Sequence, residues 1–243
     1  MITLRSILFL VLFYLNLIGL LIAAVPTLVM PRATILWVAR LWGRSTLWLL
    51  RTVCGIGVEW RGLERIPRGG VLIAAKHQST WETFALLTLL PDPAYIIKRE
   101  LAWIPFFGWY ASHGGMIPVD RSAGKAALVD MTSRAVAALR DGRQLIIFPE
   151  GTRRSAGAEP KYKFGVAHLY AEAGVPCVPV ALNSGLFWPR RHLMRYPGTV
   201  TVEILDPIAP GLGRTEFFEK LQNDIETATA RLVAEGREQA GRR

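Results

Sequence analysis

The chain has 243 residues, with 29 Lys and Arg against 19 Asp and Glu and a net charge of +10, a length suited to one catalytic domain with a short appendage. The basic excess asks for an anionic partner, but no zinc-finger spacing, basic heptad region or aromatic RNA-binding signature is present, so nucleic acid gives way to anionic lipid or a phosphorylated substrate. Cys54 and Cys177 are the only cysteines, too few and too isolated for a disulfide framework or a thiolate metal site, and both read as small apolar residues.

From Ser6 to Met30 no residue is charged, a run of about 25 residues that would cross a bilayer core as a helix. Asn16 is its one strongly polar side chain, and Pro26 ends or kinks it near its exit. A cleaved signal peptide is a weaker reading, because the run is long for one. A segment that enters one leaflet and returns is a further reading. Residues 33–50 form a second apolar stretch in which Trp37, Trp42 and Trp48 alternate with Arg40 and Arg44. That mixture suits lipid headgroups. A two-helix hairpin and a span followed by an interfacial helix are both allowed. Arg32, Arg40, Arg44 and Arg51 follow the first run and only Arg5 precedes it, so the positive-inside rule puts the downstream side in the cytoplasm. Residues 1–50 are therefore expected to anchor the chain to a membrane, with residues 51–243 as the catalytic domain.

After residue 50 apolar strand-like runs alternate with helical patterns. VLIAA (71–75), AYIIK (94–98), MIPV (116–119), QLIIF (144–148), CVPVAL (177–182) and TVTVEIL (199–205) are the expected strands. Residues 124–140, 164–173 and 215–235 carry helical periodicity, the first stopped by Asp141-Gly142. This alternation predicts an α/β domain with a central buried sheet.

Charged and glycine-bearing motifs follow several of these strands. The first is Lys76-His77-Gln78-Ser79-Thr80-Trp81-Glu82. Residues five apart on one helix point about 140° apart, so His77 and Glu82 meet only if His77 lies in a loop and Glu82 in the first turn of the following helix. Ser79 to Glu82 has the spacing of a capping box. One reading is that Glu82 only caps the helix. The other is that its carboxylate fixes the imidazole tautomer and leaves the second ring nitrogen to take a hydroxyl proton. The second motif is Phe148-Pro149-Glu150-Gly151-Thr152-Arg153, where a glycine turn and an arginine fork suit phosphate. The third ends in Asp120-Arg121, a second phosphate ligand or a surface pair. The fourth is the apolar strand around Pro179 and the turn that follows it.

Taken in order, these four blocks resemble the glycerophospholipid acyltransferase family, and within it the bacterial 1-acylglycerol-3-phosphate acyltransferases. The likeness covers about residues 70–185. His77 and Glu82 match the family's His-four residues-Asp motif with Glu in place of Asp; Arg121 matches the arginine of the second motif; residues 148–153 match the third throughout; Pro179 matches the fourth. The resemblance implies a glycerolphosphate acyltransferase-like fold, a central mixed sheet flanked by helices. It implies His77 as the base and Glu82 as its partner, with Arg121 and Arg153 on phosphate, Glu150, Gly151 and Thr152 shaping that loop, and Pro179 in the substrate-binding set. The donor would be acyl-CoA or acyl-ACP, the acceptor the sn-2 hydroxyl of a lysophospholipid, and the product phosphatidic acid. No metal or other cofactor is expected. Membrane lipids would be partners, with the domain on the cytoplasmic face of an inner membrane. The extra methylene of Glu82 bears on the choice of acceptor, so lyso-ornithine lipid, another lysophospholipid and glycerol 3-phosphate stay open, as does a non-catalytic lipid-binding protein. Lys161 and Lys163 are secondary candidates. Residues 187–196 are expected at the surface, near headgroups or an acidic donor, and His113, His168 and His192 are expected to have no catalytic part.

Overall fold

A computed structural model describes residues 1–120 and 124–241. Arg121, an expected phosphate ligand, lies outside them. The uncharged N-terminal run forms α1 (Ile2–Ala23), which stops where Pro26 removes a backbone donor and a 3-10 turn takes over. After Pro31 the chain returns as α2 (Arg32–Leu49). It leaves through a π-turn capped by Gly55 at φ 67, a left-handed position that favours glycine. Of the two arrangements open from sequence, the helices form the hairpin. Asn16 explains itself here, donating from Nδ2 to Ser45 Oγ of α2 at 2.9 Å.

The hairpin lies along the rest of the molecule. Near the start of α1, the Ser6 hydroxyl oxygen accepts the Arg195 N–H at 2.9 Å. Near its end, the Leu21 carbonyl accepts the Tyr110 hydroxyl at 2.6 Å. Phe9 and Phe13 face inward and pack on Trp188. Leu4, Leu8, Val11, Leu15, Ile18 and Ile22 are exposed, and their spacing of three and four puts them on one helix face. Among the described residues α1 is the one helix long and apolar enough to cross a membrane.

Seven strands make one mixed sheet: β1 (Ile56–Arg61), β2 (Val71–Ala75), β3 (Pro93–Lys98), β4 (Ile117–Val119), β5 (Gln144–Ile147), β6 (Cys177–Leu182) and β7 (Gly198–Ile204), in the order β1-β7-β6-β2-β5-β3-β4. Neighbours are parallel except β6 and β7. One face carries the hairpin and α3 (Trp81–Ala85); the other carries α5 (Gly124–Arg140), α6 (Gly165–Ala173) and α7 (Arg214–Gly241). Between β3 and β4 runs α4 (Phe107–His113). β2 is buried at every residue, as expected of a strand covered on both faces.

Three differences from the sequence reading stand out. β1 was not expected, because its Gly, Glu and Arg break the apolar pattern; it forms by pairing along its length with β7. α4 was likewise unread. Phe148, expected as the last residue of a strand, has left the sheet.

Candidate active site

β2 lies between β5 and β6, and all three are parallel. Their C-terminal ends therefore open on the same edge, where α/β sheets bind ligands. Lys76-His77 follows β2, Phe148-Pro149-Glu150 follows β5, and Asn183-Ser184 follows β6.

His77 sits in the loop and Glu82 is the second residue of α3. His77 Nδ1 is 2.9 Å from Glu82 Oε1. The same oxygen accepts the N–H groups of Gln78 and Ser79, each at 2.7 Å. An oxygen facing two N–H donors acts as an acceptor, so it accepts a hydrogen bond from Nδ1–H and leaves Nε2 with the free lone pair. Glu82 Oε2 accepts the Ser184 hydroxyl at 2.8 Å, and the whole carboxylate is buried. Glu82 thus caps the loop-to-helix turn and holds the histidine with the same carboxylate. The capping box is only half formed. Glu82 reaches back to the Ser79 N–H, but Ser79 Oγ accepts from Trp81, at 3.2 Å, and the helix begins one residue later than the motif suggests, with Thr80 at the N-cap.

The imidazole is fixed on its other sides too. It stacks on the Phe148 ring at 4.0 Å between centroids and 14° between planes. Its backbone N–H donates to Glu150 Oε2 at 3.2 Å and its carbonyl accepts the Arg154 N–H at 2.8 Å. The side chain keeps 13% of its surface exposed, enough for a substrate hydroxyl to reach the ring.

Behind it lies a buried charge cluster. Lys76 Nζ donates to Glu150 Oε1 at 3.0 Å and to Glu226 Oε1, on α7, at 2.7 Å. Tyr162 also donates to Glu226 Oε1, at 2.8 Å. Burial pushes the Glu150 carboxyl above the usual carboxylate range, with Lys76 pulling the other way. Burial likewise drives the Tyr162 hydroxyl well up, with Glu226 adding to it, so it remains a donor.

A buried acid, an imidazole with one nitrogen committed and one open, and an adjoining Gly-Thr-Arg turn sit together at the carboxyl edge of the sheet. The acyltransferase family model matches residues 57–183, which contain all three. The chain belongs to the acyltransferase family. A 1-acyl-sn-glycerol-3-phosphate acyltransferase of Pseudomonas aeruginosa is 42% identical over 173 residues, 71% of this chain and 67% of the relative. The enzyme of that name from Cocos nucifera is 29% identical over 215 residues, 82% of this chain and 67% of its own length. The crystal structure of the 1-acyl-sn-glycerophosphate acyltransferase PlsC from Thermotoga maritima superposes with a TM-score of 0.76 at 23% identity, covering 96% of this chain and 99% of that one. It shares the fold.

The remaining expected residues of this acyltransferase are placed as follows. Arg153 is half-buried and its Nη1 donates to Thr80 Oγ1, latching the turn after β5 to the His77 loop. Thr152 is exposed beside it, and Gly151 makes the turn at φ 66, a left-handed conformation that disfavours residues with a Cβ. Glu150 points inward to Lys76 rather than out to solvent. Pro179 is buried in mid-β6, where its carbonyl accepts the Leu205 N–H at 3.0 Å. Lys161 and Lys163 are exposed. His113 Nε2 lies 2.9 Å from the Met30 carbonyl and ties α4 to the hairpin; His168 is on α6 and His192 at the surface.

The stretch 187–196 is only partly at the surface. Trp188 and Arg195 are buried, with the guanidinium 4.1 Å from the indole centroid and its Nη1 donating to the carbonyls of His192, Leu193 and Met194. Burial lowers Arg195 to about 10. Phe9 and Phe13 of α1 cover Trp188, so contact with the hairpin is what turns this segment inward. Four site residues escaped the sequence reading. Lys76 and Gln78 lie inside the first motif and Ser184 inside the fourth, in the turn after its strand, so membership of a motif was the available signal. Glu226, in a stretch to which no chemistry was assigned, had none.

Proposed function

We propose that this acyltransferase esterifies the sn-2 hydroxyl of 1-acylglycerol 3-phosphate, taking the acyl group from a thioester of coenzyme A or acyl carrier protein and forming phosphatidic acid. The observation that carries the reading is the His77 imidazole, with Nδ1 held by the buried Glu82 carboxylate and Nε2 open. His77 Nε2 takes the proton of the acceptor hydroxyl as its oxygen attacks the thioester carbonyl. The tetrahedral intermediate then expels the thiolate, the C–S bond breaks, and the imidazolium returns its proton to sulfur. Glu82 stabilises the imidazolium that forms between the two steps, as an acid partner does in the serine-hydrolase relay. No acyl-enzyme and no metal or organic cofactor are required. Arg153 and Arg121 bind the acceptor phosphate, Arg153 from a turn already tied to the His77 loop. Glu150, Gly151 and Thr152 shape that turn, and Pro179 acts through β6, which carries Ser184 to Glu82. The names of the Pseudomonas and Cocos relatives support the acceptor.

The domain rides on the cytoplasmic face of an inner membrane. Both ends of α1 are bonded to the catalytic domain, which favours a hairpin lying in one leaflet with the Leu4 to Ile22 stripe in lipid. The test is transfer of labelled acyl groups from acyl-CoA and acyl-ACP to a panel of lysolipids and glycerol 3-phosphate, using membranes that contain wild type, His77→Ala or Glu82→Gln. Transfer to lysophosphatidic acid that falls at least about 100-fold in His77→Ala is expected of a lost general base. Full activity in that variant would overturn the mechanism, and transfer only to another lysolipid would move the acceptor.

A further inference from the structure

Between β3 and the body of α4 the chain runs Leu101-Ala-Trp-Ile-Pro-Phe-Phe-Gly-Trp109 without a charge. The structure turns this segment outward. Trp103 is 68% exposed and Trp109 55%, and Leu101, Ile104, Phe106 and Phe107 are exposed with them. Such a cluster is unusual on a water-facing surface, and its backbone is built to display it. Phe106 has φ 63, and the Phe107 N–H bonds to the Pro105 carbonyl at 2.7 Å. That is the rarer γ-turn, with positive φ at its centre, which is strained for a residue with a side chain. The turn is braced by Gly108, where a Cβ would come within 2.0 Å of the Ala102 carbonyl oxygen. At the base of the lobe Arg99 pairs with Asp120 at 2.9 Å and lies 5.4 Å from the Trp103 ring centroid. Exposed indoles with arginine beside them and an uncharged tip suit the boundary between headgroups and acyl chains.

We propose that residues 101–109 form a second membrane-inserting surface, separate from the N-terminal hairpin and entering the same leaflet. The occupant is a lipid bilayer because the lobe adjoins the end of the apolar α1 and the exposed apolar turn that follows it. Tyr110, one residue beyond the lobe, bonds to the Leu21 carbonyl near the end of α1, and His113 contacts the Met30 carbonyl in the connecting turn. Exposed Val25, Val29 and Met30 lie in that turn. The lobe leaves the sheet from the C-terminal end of β3, on the edge that carries His77 and two strands along from β2. Two separated contacts fix the tilt of the domain, which one hairpin alone would leave free. They hold the site against the leaflet, so that a lysolipid enters without its chain crossing water.

The proposal rests on the membrane association proposed above, and its test separates the two. Cys54 and Cys177 are buried, so single cysteines placed at Ile104, at Leu15 on the α1 stripe and at Glu219 on α7 can be labelled selectively with an environment-sensitive fluorophore. Each full-length variant is bound to vesicles of phosphatidylethanolamine and phosphatidylglycerol and titrated with doxyl-labelled lipid and aqueous iodide. The expected result is a blue-shifted label at positions 104 and 15, quenched severalfold more by doxyl lipid than the label at 219 and protected from iodide. If position 15 is protected and 104 behaves like 219, the lobe proposal fails and the hairpin reading stands. If neither is protected, both fail. Protection of 104 that appears only when acyl carrier protein is added would assign the lobe to a protein partner and overturn the lipid surface. If Ile104→Cys does not fold, Trp103→Cys reports on the same lobe.

Discussion

At the scale of single residues, the site depends on how one buried carboxylate is held. Glu82 has four hydrogen-bond donors around it, and only Ser184 comes from a distant part of the chain. A hydrogen bond to a charged group is worth about 1.5–3 kcal/mol. Ser184→Ala should therefore lower kcat about tenfold or more by loosening the His77–Glu82 geometry, with KM little changed and partial rescue by Ser184→Thr; steady-state kinetics on both variants decides it. Lys76 is the other sensitive point. Lys76→Met leaves two carboxylates facing each other without their cation, and breaking a buried pair costs about 3–5 kcal/mol. The sign of its pH dependence follows from Glu150, whose carboxyl burial already raises. A raised carboxyl contributes stability below the ordinary carboxylate range and loses it as pH rises through the raised value. Removing Lys76 raises it further. The melting deficit of Lys76→Met should thus be large at neutral pH and shrink on acidification, and Glu150→Gln in the same chain should reduce it. Thermal melts between about pH 4 and 8 would show this; a deficit independent of pH would contradict the assigned network. His77 and Glu82 could be read as a pair because they lie five residues apart across a loop-to-helix turn, while Arg153 was singled out by the resemblance of the four ordered blocks and not by its own spacing. Glu226 was not, because it stands 150 positions from Lys76 on a helix whose sequence shows only amphipathic periodicity.

At the scale of elements, the position of Glu82 depends on α3, and α3 depends on α2. Gly43 of α2 lies so close that a Cβ there would come within 2.8 Å of both the Phe84 carbonyl oxygen and Thr88 Cγ2. Overpacking of this kind costs about 1–3 kcal/mol. Gly43→Val should lower the melting temperature and reduce kcat together, because pushing the helices apart displaces the helix that carries the acid; kinetics and a melt on the purified variant measure both. Six of the seven strands and the three long helices after residue 120 were readable, since buried parallel strands are continuous apolar runs and covering helices are amphipathic. β1 and α4 were hidden for opposite reasons. β1 is a polar edge strand that exists through its partner β7. α4 has so many aromatics that no polar face marks it as a helix. Phe148 reads as strand by composition, yet its ring is the stacking surface for His77.

At the scale of the whole molecule, the N-terminal hairpin and the sheet share a core. Phe9, Phe13, Leu50 and Cys54 belong to the same apolar cluster as Ile73, Trp81, Phe84 and Trp188. Burying a large side chain of this kind contributes about 1.5–3 kcal/mol, so the hairpin is part of the fold. A chain cut to residues 51–243 is expected to aggregate or melt well below the full protein even in detergent, which calorimetry of the two would test. From the sequence alone came the apolar N-terminal run, the alternation of strand and helix, and the order of the four motifs that mark an acyltransferase. These are local patterns, written in neighbouring residues by the periodicities of helix and strand and by the short reach of a loop. Tertiary structure alone decided that the apolar run folds back along the domain, that Ser184 and Glu226 come to the His77 loop, and that an aromatic turn after β3 faces outward beside the hairpin. Each depends on which strands become neighbours and which faces are covered, and those outcomes belong to the packing of the whole chain.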